Sequence, residues 1–151
     1  MELKRYSDDK AFSLMDGAAT VSRIVRTASA ERLRATRFGD WSALDVIGHL
    51  TDTAEVFAER VRRALEEDTP TLAAIPDGML GDARRDPMDL SKRLLQAHQR
   101  IVALMQRPGA AERAAIHSDW GRVNAGHIAA YQADHTDEHV AELAAAFPPT
   151  S

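Results

Sequence analysis

Cysteine is absent from the chain. That excludes disulfide staples, thiolate metal ligands and a cysteine nucleophile, so any thiol chemistry must borrow its sulfur. Aromatic residues are scarce, 5% of 151 positions, against a hydrophobic content of 44%. A core therefore has to be built from Leu, Ile, Val and Ala, and the length suits one domain spanning residues 1–151. No stretch approaches the ~18 uninterrupted apolar residues of a membrane span, and Met1 to Phe12 is charged, without the apolar centre of a secretory leader. The expectation is a cytoplasmic protein with no membrane partner.

An excess of positive charge is also missing. The formal charge of −4 and a pI near 5.8 argue against a surface that tracks phosphates, hence against a nucleic-acid partner. Where basic residues cluster, at Arg60, Arg62 and Arg63, they are interleaved with Glu59, Glu66 and Glu67 at helical spacing and read as a solvated helix face.

What is present is helical periodicity. Four stretches carry apolar residues at three- and four-residue spacing, and none shows the sustained alternation of a strand, so the expected class is all-α. The first helix is placed within Asp9 to Leu33, its edges blurred by Gly17, with Leu14, Val21, Ile24 and Val25 facing inward. The second starts at a Ser42 N-cap, with Asp45 completing a capping box and Trp41 stapling onto Val46, and runs to about Glu67. Its inner stripe is Val46, Leu50, Thr53, Phe57 and Val61, with His49 on the same side. The third opens on Asp86 and Pro87, with Asp89 favoured by the helix dipole, and is closed by Pro108 and Gly109. The fourth begins around Arg122 to Asn124, after the Trp120-Gly121 turn, and stops before Pro148, with a stripe of Ile128, Tyr131, Gln132, His135, His139 and Leu143.

Antiparallel neighbours usually need loops of only about two to eight residues. The connection from Asp68 to Arg85, with Pro70, Pro76, Gly78 and Gly81, is much longer and can travel the ~30 Å length of a bundle. Helices two and three would then run in parallel, giving an up-down-down-up four-helix bundle with a long crossover between them.

His135 and His139 are one turn apart on a helix and so share a face. Both fall on the stripe expected to be buried, where an unsatisfied imidazole is costly. His49 lies roughly 10 Å into its helix, while His135 and His139 lie roughly 10 to 18 Å before the end of theirs. Antiparallel packing of helices two and four brings all three to one level. Three neutral imidazoles suit a borderline divalent ion, Zn²⁺ first, with Ni²⁺, Fe²⁺ or Cu²⁺ chemically acceptable, and three protein ligands leave a position open for water or substrate. Asp52, Gln132, Glu138 and Glu142 each stand three residues from a histidine of the set and are candidate partners for the second ring nitrogens.

The segment from His135 to His139 also matches the H-x-x-E-H pattern of inverzincin proteases. Those enzymes need a distant downstream carboxylate ligand, and twelve residues follow His139 in this sequence, so a protease is not expected and Glu138 is kept as a candidate general base for another reaction. His127 is expected to pack or face water, His98 to lie at the surface or core edge, and His117 to sit in the loop before the last helix, near the site.

The run Trp41-Ser42-Ala43-Leu44-Asp45-Val46-Ile47-Gly48-His49-Leu50-Thr51-Asp52, followed far downstream by Asp134-His135-Thr136-Asp137-Glu138-His139, resembles the DinB-like superfamily. The resemblance implies a metal-centred up-down-down-up bundle, often a homodimer, with ligands at His49, His135 and His139. It also implies kinship with transferases and isomerases that use a low-molecular-weight thiol. The leading expectation is thus an enzyme whose ion activates a thiol or water for transfer to, or hydrolysis of, a small-molecule substrate, with the loop from Pro70 to Pro87 helping to enclose it. The alternatives are a non-catalytic metal-binding or stress-response protein, and a helical interaction module whose histidines bind nothing.

Overall fold

The computed structural model describes residues 2–74 and 85–149. In chain order the helices are α1 (Asp8–Thr27), α2 (Ala30–Ala35), α3 (Ala43–Glu66), α4 (Pro87–Met105) and α5 (Ala125–Ala146). Caps fix most of their starts. The Ser42 hydroxyl accepts from the Asp45 N–H at 3.0 Å while the Asp45 carboxylate accepts from the Ser42 N–H at 2.9 Å, so two otherwise orphaned donors at the head of α3 are satisfied together. Asp86 accepts from the Met88 N–H at the head of α4, with Pro87 in the first turn. Asn124 caps α5 by accepting from the His127 N–H.

The expected first helix is two helices. Ala28 adopts an extended conformation after α1, and Ser29 then caps α2 by accepting from the Arg32 N–H. The all-α expectation is also corrected, because short strands punctuate the helices: β1 (Arg37–Phe38), β2 (Trp41–Ser42), β3 (Thr71–Leu72), β4 (Ala114–His117) and β5 (Gly121–Asn124). β1 and β2 pair antiparallel just before α3, and β4 and β5 form a hairpin just before α5. Gly121 closes that hairpin at φ +74, a conformation in which a Cβ is strained. β3 pairs parallel with β4, tying the exit from α3 to the hairpin. The last helix consequently starts at Ala125, because Gly121 to Asn124 is strand.

α1, α3, α4 and α5 pack around one contiguous set of buried aliphatic residues. The predicted inner positions Leu14, Val21, Ile24 and Val25 on α1, and Val46, Leu50, Thr53, Phe57 and Val61 on α3, are all buried. Partner residues on α3 and α4 ascend together: Thr51 donates to the Leu90 carbonyl, and Glu55, Glu59 and Glu66 pair with Arg93, Arg100 and Arg107. Partners on α1 and α5 also ascend together, Lys10 with Asp134, Ser13 with Asp137 and Arg23 with the Phe147 carbonyl. Across α3 and α5 they run oppositely, His49 meeting His135 while Phe57 meets Tyr131. Among the described residues, no helix is long and apolar enough to cross a membrane.

Gly17 marks no helix end. It sits inside α1 where that helix approaches α5 so closely that a Cβ would fall 2.3 Å from Cγ2 of Thr136. Thr136 is held by its own hydroxyl, which donates to the Gln132 carbonyl, so it cannot easily rotate away. Gly17→Ala is expected to cost about 1–3 kcal/mol through overpacking, outweighing the ~1 kcal/mol that alanine gains in helix propensity. Urea denaturation measures this; an unchanged or raised midpoint would show that the α1–α5 contact is looser than described.

Candidate metal centre

His49 is set near the start of α3 by the capping box, and His135 and His139 lie toward the end of the oppositely running α5. Their rings converge. Nε2 of His135 lies 3.1 Å from Nε2 of His49 and 3.0 Å from Nε2 of His139, and one ring nitrogen from each histidine falls within 4.8 Å of the other two. All three are half-buried. Neutral imidazoles can satisfy one another only when one ring donates to the next, and Nε2 of His135 carries at most one proton while facing two neighbours. Several lone pairs aimed at one small space suit a cation better than they suit each other.

Surrounding groups fix the ring orientations. Nδ1 of His139 lies 3.1 Å from a carboxylate oxygen of Glu142, which leaves Nε2 of His139 as the lone-pair side facing inward. Trp41 stands edge-on to His49 at 4.8 Å and stacks parallel to His139 at 6.5 Å, screening one side of the ring cluster. A cleft of about 370 Å³ lined by Phe38, Asp40, Trp41, Val46, His139 and Glu142 opens beside it. Burial, with the neighbouring His139 and His49, pushes the His135 pKa down to about 4, so its ring is neutral at pH 7, as a metal ligand must be.

The other expected site residues are placed as follows. Asp52 is held by Arg85 at 2.9 and 3.0 Å. Gln132 is fully buried, and its amide nitrogen reaches Nε2 of His98 at 3.1 Å and the Thr136 hydroxyl at 3.4 Å. Glu138 is exposed; the Lys4 pKa is raised chiefly by its hydrogen bond to Asp134, with the charge of Glu138 a lesser contribution. The part of the Pro70 to Pro87 loop between residues 75 and 84, expected to enclose a substrate, lies outside the described residues.

Two histidine expectations are corrected. His98 is wholly buried, its Nδ1 2.6 Å from the Leu14 carbonyl, because a polar pair with Gln132 satisfies it inside the bundle. His117 belongs to β4 and stacks on Trp120 at 4.1 Å. His127 packs, nearly fully buried, with Nδ1 accepting from the Lys4 N–H. Arg60, expected on a solvated face, is buried against Phe57 and donates to the Ala73 carbonyl, whereas Arg62 and Arg63 behave as expected. Trp41 was legible only as a helix staple; its place against two of the histidines required the β1–β2 turn, which the sequence pattern did not signal.

A family model for the DinB superfamily matches residues 15–143. The chain belongs to the DinB superfamily. It is similar in fold to YfiT from Bacillus subtilis, described as a probable metal-dependent hydrolase with an unusual four-helix bundle topology. That likeness has a TM-score of 0.74 at 21% identity and covers 95% of this chain and 88% of the other. No curated protein matches.

Acid is expected to destabilise the metal-free protein. Burial holds both His98 and His135 at a pKa of about 4, against 6.5 in an unfolded chain, so between those values the unfolded state binds more protons and stability falls as pH drops. The fully buried His98 alone contributes a loss on the order of 3 kcal/mol by pH 4. Denaturation midpoints from pH 7 to pH 4 test this, and a flat profile would contradict the burial of these rings.

Proposed function

We propose that this DinB-superfamily protein is a metal-dependent enzyme in which His49, His135 and His139 hold one divalent ion, and that it acts on a small molecule by hydrolysis or by transfer to a borrowed thiol. The observation that carries the reading is the convergence of three Nε2 atoms from two oppositely running helices. The donor set fits: three neutral imidazoles, one of them oriented by a carboxylate, are ligands for Zn²⁺ first and for Ni²⁺ or Fe²⁺ next. A bound ion with three protein ligands supplies Lewis acidity and lowers the pKa of a water or thiol at its open position. The match to YfiT, itself described as a probable metal-dependent hydrolase, adds weight to the hydrolytic arm.

The chain's own residues divide the remaining work. Glu142 holds His139 in the tautomer that presents Nε2 inward, and Trp41 keeps water from one side of the ligand rings. The cleft beside His139 gives a small molecule its approach. Glu138, exposed and one residue before His139, is assigned to proton transfer, although it is not among the residues lining that cleft. The helix directions support the up-down-down-up order, since α3 with α4 and α1 with α5 pair in ascending register while α3 and α5 pair in descending register.

Purified protein is expected to carry about one divalent ion per chain, and His135→Ala to lower its metal affinity by at least about 100-fold. Elemental analysis after dialysis reads both; a wild-type chain with no metal, and no thermal shift on adding Zn²⁺, would remove the proposal. Glu138→Gln is expected to keep the metal while slowing turnover of an ester or thiol-acceptor substrate by about 100-fold or more. Unchanged turnover would take the proton-transfer role from Glu138 and leave the metal assignment intact.

A further inference from the structure

A separate cavity of about 200 Å³ is walled by Phe57 and Arg60 of α3, Tyr131 of α5, His117, Asp119 and Trp120 of the β4–β5 hairpin, and Ala74. Tyr131 lies one turn before His135 on α5 and Phe57 two turns past His49 on α3, so the cavity is offset from the histidines by roughly 6–12 Å along the helix axes. None of these residues is used by the metal centre.

Its polar groups are mostly donors. Arg60 is only 9% exposed, yet among the described residues its guanidinium has no carboxylate in ion-pair range, whereas the neighbouring Arg62 and Arg63 each hold a glutamate. Donation to the Ala73 carbonyl occupies part of the guanidinium fork, which has five N–H donors in all. A buried cation without a counter-ion is costly, and an anionic ligand removes the cost. Nδ1 of His117 accepts from the backbone N–H groups of Asp119 and Trp120 at 3.0 and 3.2 Å, so the neutral ring carries its proton on Nε2. Burial and the charge of Arg60 keep that ring neutral by lowering its pKa. Neither Nε2 of His117 nor the Tyr131 hydroxyl has a hydrogen-bond partner among the described residues. Trp120, stacked on His117 and tilted against Tyr131 at 4.7 Å, supplies a flat apolar wall, and the exposed Asp119 is the one carboxylate among the described lining residues.

We propose that this cavity recognises the carboxylate of a small, flat organic acid, with Arg60 as counter-ion, His117 and Tyr131 as further donors and Trp120 against the acid's body. As a statement about the substrate this rests on the metal-enzyme reading above. The volume is below the ~300–1,000 Å³ of pockets for drug-sized ligands, which matches a compact acid.

The test is titration of 4-fluorobenzoate into the full-length protein, followed by fluorine NMR, with neutral 4-fluorobenzamide and inorganic phosphate as comparison probes. Saturable one-to-one binding of the benzoate is expected, weakened at least about tenfold by Arg60→Met. Binding is expected to persist in His135→Ala, which separates this cavity from a carboxylate sitting on the metal. Because Arg60 also braces the Ala73 carbonyl, the Tyr131→Phe/His117→Gln double variant provides an independent check and is expected to weaken binding by at least about threefold. Absence of saturable binding, equal binding by Arg60→Met and the double variant, or equal affinity for benzamide would overturn the proposal. Phosphate binding as tight as benzoate binding would overturn the carboxylate assignment. A chain that binds the benzoate through Arg60 but carries no metal and shows no thermal shift on adding Zn²⁺ would refute the metal reading alone.

Discussion

The feature on which the rest depends is the meeting of three imidazole nitrogens from two antiparallel helices, with that of His135 about 3 Å from each of the other two. Lone pairs brought together in a half-buried space repel unless a proton or a cation stands between them, and the surrounding structure is arranged to keep them there. The capping box sets the start of α3 and thereby the level of His49. The descending register of α3 and α5 brings His135 and His139 to that level. Glu142 and Trp41 then limit how the rings can turn.

Packing and chemistry are separated along the bundle. His98, Gln132 and Thr136 form a buried polar link that joins α4 and α5 and reaches the Leu14 carbonyl of α1. That link lies on the side of α5 facing the interior, whereas His135 and His139 are half-buried on the side facing α3. One helix thus carries two sets of polar residues with different tasks. Its tight contact with α1 at Gly17 limits sliding that would shift the histidine couplet relative to His49.

Much of this was legible in the chain itself. Ser42 with Asp45, and Asp86 with Pro87, announce helix starts through local chemistry that tertiary structure did not override. The histidine pair is visible because a helix repeats its face every turn, and His49 joins it by a length argument. The short strands were hidden because runs of two to four residues leave no periodic signature, and Ala114 to His117 is not rich in β-branched residues. The burial of His98 and Arg60 was hidden for a different reason. A polar residue is read as exposed unless its partner is known, and the partners, the Leu14 carbonyl and Gln132 for His98 and the Ala73 carbonyl for Arg60, come into reach only on folding. The aromatic wall at Trp120 likewise exists only once the hairpin folds back on α5.

The most direct measurement of the central claim is X-ray absorption at the zinc edge of Zn²⁺-loaded protein. The account predicts a first shell of three imidazole nitrogens and one light oxygen-type scatterer at about 2.0–2.1 Å, with one imidazole lost in His49→Ala. A shell dominated by carboxylate oxygens, or one unchanged by removing His49, would contradict it.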